Sequence, residues 1–483
     1  MSRNMTRDLT EGNPMKLVLR FAVPLLFGVL FQQFYSFVDT AIVGRYLGAA
    51  KLAAVGATGS VNFLVIGLCL GMCSGFSIPI AQAFGAKDIS LLRRTVWHAI
   101  LLSASMSLLF AAASSILCKP LLRLMNTPAE ILEDSANYIR IIFLAIPCCV
   151  LYNMASGILR ALGDSKTPVL FLVLASLINI VLDLFLILLC DLDVAGAAWA
   201  TAASQLLSGL GCVIFMIRNF PILHLQKEDR RFSGKMCLKM LGVGLPMGLQ
   251  FSITAIGSVI VQWSVNGLGV SAVAAVSAAG KISAFFVCVF DALSSTVATF
   301  ASQNIGARKL NRVREGLKAA AKLGTVYCVA AFSLIFLFAR EMLSIFVDPN
   351  AESSVMEMGI RFLRINASFY IPLLFVNIVR LCIQGIGYTR AAMFAGVFEM
   401  IARTTVALFL VPVLGFTGAC LANPMAWIMA DLFLIPCYFR IVRNLRGRLL
   451  PGGENRIEAE EEPRKETIGK KSHSFVRLRK KAA

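Results

Sequence analysis

Charge is scarce in this chain of 483 residues. Asp, Glu, Lys and Arg make up 15% of it, against 58% hydrophobic residues and a mean hydropathy of +0.76. A soluble domain carries roughly 25% charge, so a string of water-facing globular domains is excluded. Histidine is scarcer still, limited to His98, His224 and His473. The thirteen cysteines form no Cys-x-x-Cys pair, and most lie in apolar runs (Cys69, Cys73, Cys148, Cys149, Cys212, Cys288, Cys328), where they act as small apolar residues. A metal centre therefore lacks ligands, and no cofactor is expected. Short connections and scattered histidines also leave no catalytic set for a membrane enzyme. The segment Met1 to Glu11 is polar and the first apolar run is long enough to be a true span, so no cleavable signal peptide is expected.

What the chain does have is long apolar runs, such as Val18 to Val38, Ala99 to Leu117 and Val169 to Leu189. Each is close to the ~20 residues a helix needs to cross a bilayer. About twelve such spans can be counted, centred near residues 29, 65, 107, 147, 179, 206, 253, 287, 329, 371, 402 and 428. The expected class is an all-α polytopic membrane protein. Lys and Arg number 46 against 27 acids, a net charge of +19. With the N-terminus in the cytoplasm, the even-numbered connections and both termini hold 33 of these bases. The odd-numbered connections hold five (Arg45, Lys51, Lys119, Arg123, Arg340), and eight lie in or beside spans. That asymmetry is the positive-inside bias. It implies a cytoplasmic-membrane protein with both termini inside, lipid neighbours and no nucleic-acid partner.

The chain divides into a cytoplasmic segment 1–14, a lobe of six spans at 15–217, a linker at 218–239 with six bases, a second six-span lobe at 240–441 and a tail at 442–483. The tail passes from acidic (Glu458 to Glu462) to basic (Lys470, Lys471, Arg477, Arg479, Lys480, Lys481) and is expected to be disordered.

The two lobes are copies. Leu47-Gly48-Ala-Ala-Lys-Leu-Ala-Ala-Val55 matches Leu268-Gly269-Val-Ser-Ala-Val-Ala-Ala-Val276, and the same offset of 221 lays Gln82-Ala-Phe-Gly85-Ala86-Lys87 on Gln303-Asn-Ile-Gly306-Ala307-Arg308. With one gap, Pro24 falls on Pro246 and Ser36 on Ser258; Pro147 pairs with Pro372 and Gly163 with Gly387. Six spans is an even number, so both copies enter the membrane in the same direction. The repeat is parallel, about a pseudo-twofold axis along the membrane normal. The matched prolines Pro24, Pro246, Pro147 and Pro372 are hinge candidates, since proline removes a helical hydrogen bond.

Ionisable residues inside spans are expensive, about 2.5 to 3.5 kcal/mol on insertion scales, so the few present carry information. Asp39 shares a helical face with Gln32 and Ser36; Asn179 and Asp183 are i, i+4; Thr201, Ser204, Gln205 and Ser208 form a third polar stripe. Two acids, an amide and a hydroxyl in a low-dielectric pocket suit a small cation, either a proton or sodium. The second lobe keeps a polar frame (Gln250, Thr254, Ser258, Gln262) but has Val261 or Ile260, Arg403 and Ala407 where the first has Asp39, Asn179 and Asp183. Coupling is therefore expected in the first lobe. Elsewhere, Glu399 is expected to pair with Arg403 four residues on. Asp291 has no obvious partner and is a candidate cavity residue, and Asp431 is expected near the cytoplasmic end of its span. A minority of the 34 Phe and 18 Met is expected to line a deformable substrate surface.

The run Pro24…Val38-Asp39-Thr40…Gly44…Leu47-Gly48, the repeated Gln-x-x-Gly-Ala segment and Gly157-Ile-Leu-Arg160-Ala-Leu-Gly163-Asp164-Ser-Lys-Thr-Pro168 together resemble the multidrug and toxic compound extrusion (MATE) family, over about residues 14 to 440. The resemblance implies two six-helix lobes and a cation-coupled antiporter that exports organic cations and other amphipathic compounds, working as a monomer. It also implies that Asp39, Asn179, Asp183 and Thr201 form a cation site like that of the DinF-like branch, with Gln32, Tyr138 and Asn153 lining the same lobe. The NorM-like branch uses acids in spans 7 and 10, which this chain lacks. A related flippase for lipid-linked precursors is the alternative; such proteins commonly have about fourteen spans and strongly basic cavities.

Overall fold

The computed structural model describes residues 7–125, 127–347 and 353–449. The acidic and basic stretches of the tail, at 458–481, lie outside the described residues. Among the described residues there are helices and no strands. The first half comprises α1 (Pro14–Leu47), α2 (Ala49–Ala57), α3 (Gly59–Gly85), α4 (Ile89–Leu124), α5 (Ala129–Leu144), α6 (Ile146–Ala161), α7 (Lys166–Leu188) and α8 (Asp193–Asn219). The second half comprises α9 (Gly234–Asn266), α10 (Val270–Gly306), α11 (Leu310–Leu343), α12 (Ser353–Ser368), α13 (Tyr370–Ile386), α14 (Thr389–Thr405), α15 (Val411–Leu414) and α16 (Phe416–Leu449). One compact unit extends through Leu434; the remaining described residues, 435–449, are the last turns of α16.

Ten of these helices or helix runs are long and apolar enough to cross a bilayer, and two bent pairs, α5 with α6 and α12 with α13, bring the spans to twelve. They form two parallel six-span lobes. Large apolar side chains such as Leu109, Ile116, Val181, Phe409 and Val413 stand uncovered on the outside. In a helix whose backbone is satisfied internally, such a surface is stable against lipid.

Local chemistry explains the helix boundaries. Asn13 caps α1 by accepting from the Lys16 N–H, with Pro14 at the first helical position. Asp88 caps α4 through the Leu91 N–H at 2.9 Å. The duplication extends to backbone angles: Lys87 and Arg308, equivalent residues of the repeated motif, both adopt φ of 58°. Pro147 and Pro372 lie just after the two breaks, where the paired helices bend by 44° and 52°. Pro24 and Pro246 instead sit inside the unbroken α1 and α9. The lobes differ as well. A short α2 separates α1 from α3, whereas the equivalent residues 270–278 are continuous with α10; among the described residues span 11 alone carries a π-helical turn, Val406–Leu410.

The lobes meet at the face where α1 begins, here the N-terminal face. Gly71 and Gly75 of α3 press on Gly244 and Gly248 of α9. A Cβ on Gly75 would lie 2.5 Å from the Gly244 Cα, so the two backbones touch as small-x-x-x-small pairs allow. Nearer the face, the repeated motif packs on its own copy: a Cβ on Gly85 would lie 1.9 Å from the Gln303 carbonyl oxygen, and one on Gly306 would lie 2.0 Å from that of Gln82. Each glutamine then reaches across. Gln82 donates to the carbonyls of Gly385 and Ile386, at 3.1 and 3.2 Å, and Gln303 donates to that of Ala161 at 2.8 Å. The chain before α1 is threaded through this seam. The Arg7 N–H donates to the Leu162 carbonyl, the buried Leu9 donates to Gln303, and Asn304, Lys309 and Arg312 donate to the carbonyls of residues 9–12. This face is closed.

The second lobe contains a buried ionic network. Glu399 is paired with Arg403 at 3.7 Å, and more closely with Arg380 of α13. The contact with Arg403 has the i, i+4 spacing, but the bond that ties two helices together is the one to Arg380. Arg403 also donates to Asn423 at 3.3 Å. Asp431 lies on α16, part-buried and within electrostatic reach of Arg380, with Oδ1 buried. Arg380 supplies it with a counter-charge.

Candidate cation and substrate site

A cavity of about 370 Å³ runs through the first lobe. From α1 it receives Gln32, Tyr35, Ser36 and Asp39, at the i, i+3, i+4, i+7 spacing of one helical face. The bent pair α5–α6 contributes Tyr138, Cys149, Tyr152, Asn153 and Arg160. Asn62 comes from α3, and Thr201 and Gln205 come from α8. The bend between α5 and α6 lets Tyr138, on one side of the break, and Asn153, on the other, line the same space.

Asp183 and Asn179 of α7 are fully buried behind this lining. Asp39 and Asp183 lie side by side, close enough to interact directly. Two carboxyl groups so placed can hydrogen-bond to each other only while one of them holds a proton. With its amide turned to satisfy both ends, Asn179 donates to Asp183 Oδ2 at 2.8 Å and to the Tyr35 hydroxyl at 3.0 Å, and accepts from the Thr201 N–H at 3.0 Å. The amide thus fixes Asp183 and ties α7 to α1 and α8. Asp39 Oδ1, Asp183 Oδ1, Asn62 Oδ1 and Gln205 Oε1 are buried and receive no donor from the protein. Buried acceptors without donors are costly, and a proton, a small cation or a cationic group entering the cavity would relieve that cost. Among the described residues no group of three or more His, Cys, Asp or Glu side chains could hold a metal ion.

The MatE family model matches residues 24–185 and, a second time, residues 246–409, one match in each lobe. The chain belongs to the MatE family. Its relatives include a probable multidrug resistance protein, YoeA, of Bacillus subtilis, 30% identical over 71% of this chain and 76% of that one. The multidrug export protein MepA of Staphylococcus aureus is 22% identical over 80% of this chain and 86% of its own. Among solved structures, an outward-facing MATE transporter superposes with a TM-score of 0.85 at 24% identity, over 91% of this chain and 98% of that chain. That likeness shows the fold. The relatives of this MatE protein are membrane transporters, not enzymes.

Within this MatE protein, the structure brings Gln32, Ser36, Asp39, Tyr138, Asn153, Thr201 and Gln205 around one cavity, with Asn179 and Asp183 against its wall. It does not bring Gln250 or Asp291 there. Gln250 is buried in the second lobe, where it accepts from Gln384 at 2.5 Å. Asp291 stands exposed on α10; the Ser294 hydroxyl bonds its backbone carbonyl at 3.0 Å, not its carboxylate. Among the described residues no Phe or Met lines this cavity. Its aromatic surface is Tyr35, Tyr138 and Tyr152, which add hydroxyls to a polar wall. Lys281 of α10 lies 5.8 Å from the ring centres of Phe37 and Phe346, so at least one Phe of α1 is occupied elsewhere. Three lining residues carry no flag in the sequence strong enough to stand out: Tyr35, four before Asp39; Asn62, a lone amide in an apolar span; and Arg160, near the end of α6.

Proposed function

We propose that this chain is a proton-coupled antiporter of the cytoplasmic membrane, with both termini in the cytoplasm, that exports amphipathic, often cationic compounds. The observation that carries this reading is the Asp39–Asp183 pair, present in the first lobe and without counterpart in the second. Two carboxyls brought together in a low-dielectric wall favour holding one proton between them. The Asn179 amide N–H aimed at Asp183 favours that proton over sodium, which would need oxygens on every side. The cavity volume falls in the range of sites for drug-sized ligands, and its acid pair and carbonyl oxygens suit a cationic head.

With the N-terminal face on the cytoplasmic side, the closed seam at Gln82, Gln303 and residues 7–13 belongs to an outward-facing state. A proton arriving from outside neutralises one carboxylate of the pair and weakens its attraction for the cationic substrate, which leaves. The lobes then reopen on the inside, where the proton departs and a new substrate binds. Each elementary charge crossing with the potential supplies about 2.3 kcal/mol per 100 mV. The family likeness and twelve spans support this reading over a lipid-precursor flippase.

The test is efflux of a fluorescent organic cation from proteoliposomes under an imposed proton gradient or sodium gradient in turn. Export under the proton gradient alone is expected. Export driven by sodium alone would contradict the proton assignment, and export under neither would contradict antiport.

A further inference from the structure

Beneath the large cavity lies a second, of about 70 Å³, at the seam between the lobes. Arg160 lines both. The small cavity is otherwise rich in hydroxyls: Ser74 and Ser77 from α3, and Ser295, Thr299 and Ser302 from α10. Asp291, one turn from Ser295, is not part of its wall, and no carboxylate lines it.

Arg160 is the penultimate residue of α6. Long side chains point back toward their helix N-terminus, so its guanidinium is carried inward from the N-terminal face, into the membrane layer. There it donates to the Ser156 hydroxyl at 2.7 Å. Among the described residues no carboxylate lies within ion-pair distance of it. Complementing the helix dipole at the end of α6 would be served equally by a side chain turned to water. It does not account for a half-buried cation held between two cavities. Ser77, Thr299 and Ser302 already donate to backbone carbonyls, whereas the Ser74 and Ser295 hydroxyls, one from each lobe, make no hydrogen bond among the described residues and can turn to donate. A guanidinium with hydroxyl donors and no acid is the composition of an oxyanion site, and 70 Å³ holds a carboxylate or phosphate group where a water takes about 30 Å³.

We propose that Arg160, with the free Ser74 and Ser295 hydroxyls, forms a subsite for the anionic group, carboxylate or phosphate, of an exported compound. The inference rests on the transport reading above and assigns the part of the pathway that receives such a group. The acid pair and the guanidinium give the pathway opposite polarity at its two ends. Because Ser74 and Ser77 belong to one lobe and Ser295, Thr299 and Ser302 to the other, the subsite forms when the N-terminal face closes and comes apart when it opens.

A matched pair of dyes tests this: a rhodamine methyl ester, which is a cation, and its parent free acid, which adds a carboxylate. Export is followed in proteoliposomes with the full chain, as wild type, Arg160→Gln and Arg160→Lys. The wild type is expected to export both. Arg160→Gln should raise KM for the free acid about tenfold or more, the worth of a charge-assisted hydrogen bond. It should also lower KM for the ester by removing a like charge, and Arg160→Lys should recover most of the free-acid transport. A merely structural arginine would move both dyes the same way, and that result overturns the proposal. Wild-type export of the ester without the acid overturns it too, while leaving the transport reading intact; export of neither removes both. If replacing chloride by gluconate abolishes export of both dyes, the guanidinium serves a free anion, and the proposal falls.

Discussion

Asp39→Asn and Asp183→Asn should each reduce gradient-driven export of an organic cation by about a hundredfold, the upper range of coupling energies between linked sites. Both proteins should still fold. Asparagine has the shape of a protonated aspartate, and Asp183 sits where a neutral hydrogen-bonded group is accommodated, beside Asn179 and Tyr35. What is lost is the ability to change charge. Each variant is a fixed copy of the one-proton state, with one carboxylate left, so the cavity keeps its volume and has a weaker attraction for a cation. The double variant should be little worse than either single one, because the two acids act as a unit. Full gradient-dependent export by Asp39→Asn would show that coupling lies elsewhere, with Glu399 and Asp431 the first places to look. Efflux rates and dye affinities measured side by side separate loss of coupling from loss of binding.

The second large effect concerns the seam. Gly85→Ala and Gly306→Ala should each weaken closure of the N-terminal face and lower export at least about tenfold. The added methyl would lie about 2 Å from a backbone carbonyl oxygen of the opposite lobe, and backbone cannot step aside as a flexible side chain can. Overpacking of this kind costs about 1 to 3 kcal/mol, which shifts a two-state equilibrium by roughly 5 to 150-fold. Because the clash is between lobes, the lobes can part while each stays folded. Hydrogen exchange should therefore rise at residues 7–13, 82–87 and 303–309 and stay unchanged within α4 and α11. Gly280→Ala, where an added methyl meets nothing within 4 Å, is the control. Unchanged exchange and export in the two seam variants would mean that this contact does not set the conformational balance.

The acid pair was legible in the sequence because acids are rare in apolar spans, and two on inward helical faces are hard to explain otherwise. The parallel lobes were legible because repeated motifs at an offset of 221, six spans apart, admit one topology. Partners across helices were less accessible. The i, i+4 rule ties Glu399 to Arg403, yet its closer partner, Arg380, lies nineteen residues away on another helix. The Gly71/Gly75 and Gly244/Gly248 spacings stand in the sequence, but nothing in it says that α3 and α9 meet there. The repeated Gln-x-x-Gly-Ala segment was visible as a repeat; its work, each copy reaching into the opposite lobe, exists only in three dimensions. Phenylalanine was uninformative for the reverse reason, since its abundance in a membrane protein reflects lipid and helix packing, and this cavity's aromatic lining is tyrosine.

The central claim, that one proton and the cationic substrate compete for the Asp39–Asp183 pair, is tested most directly by proton release on binding. Purified protein in weakly buffered detergent solution at a pH where the pair holds its proton is titrated with the rhodamine ester, and the pH is recorded. The wild type should release protons in proportion to dye bound, and Asp39→Asn should bind what dye it can with no release. Tight dye binding to the wild type without release of protons would contradict the account.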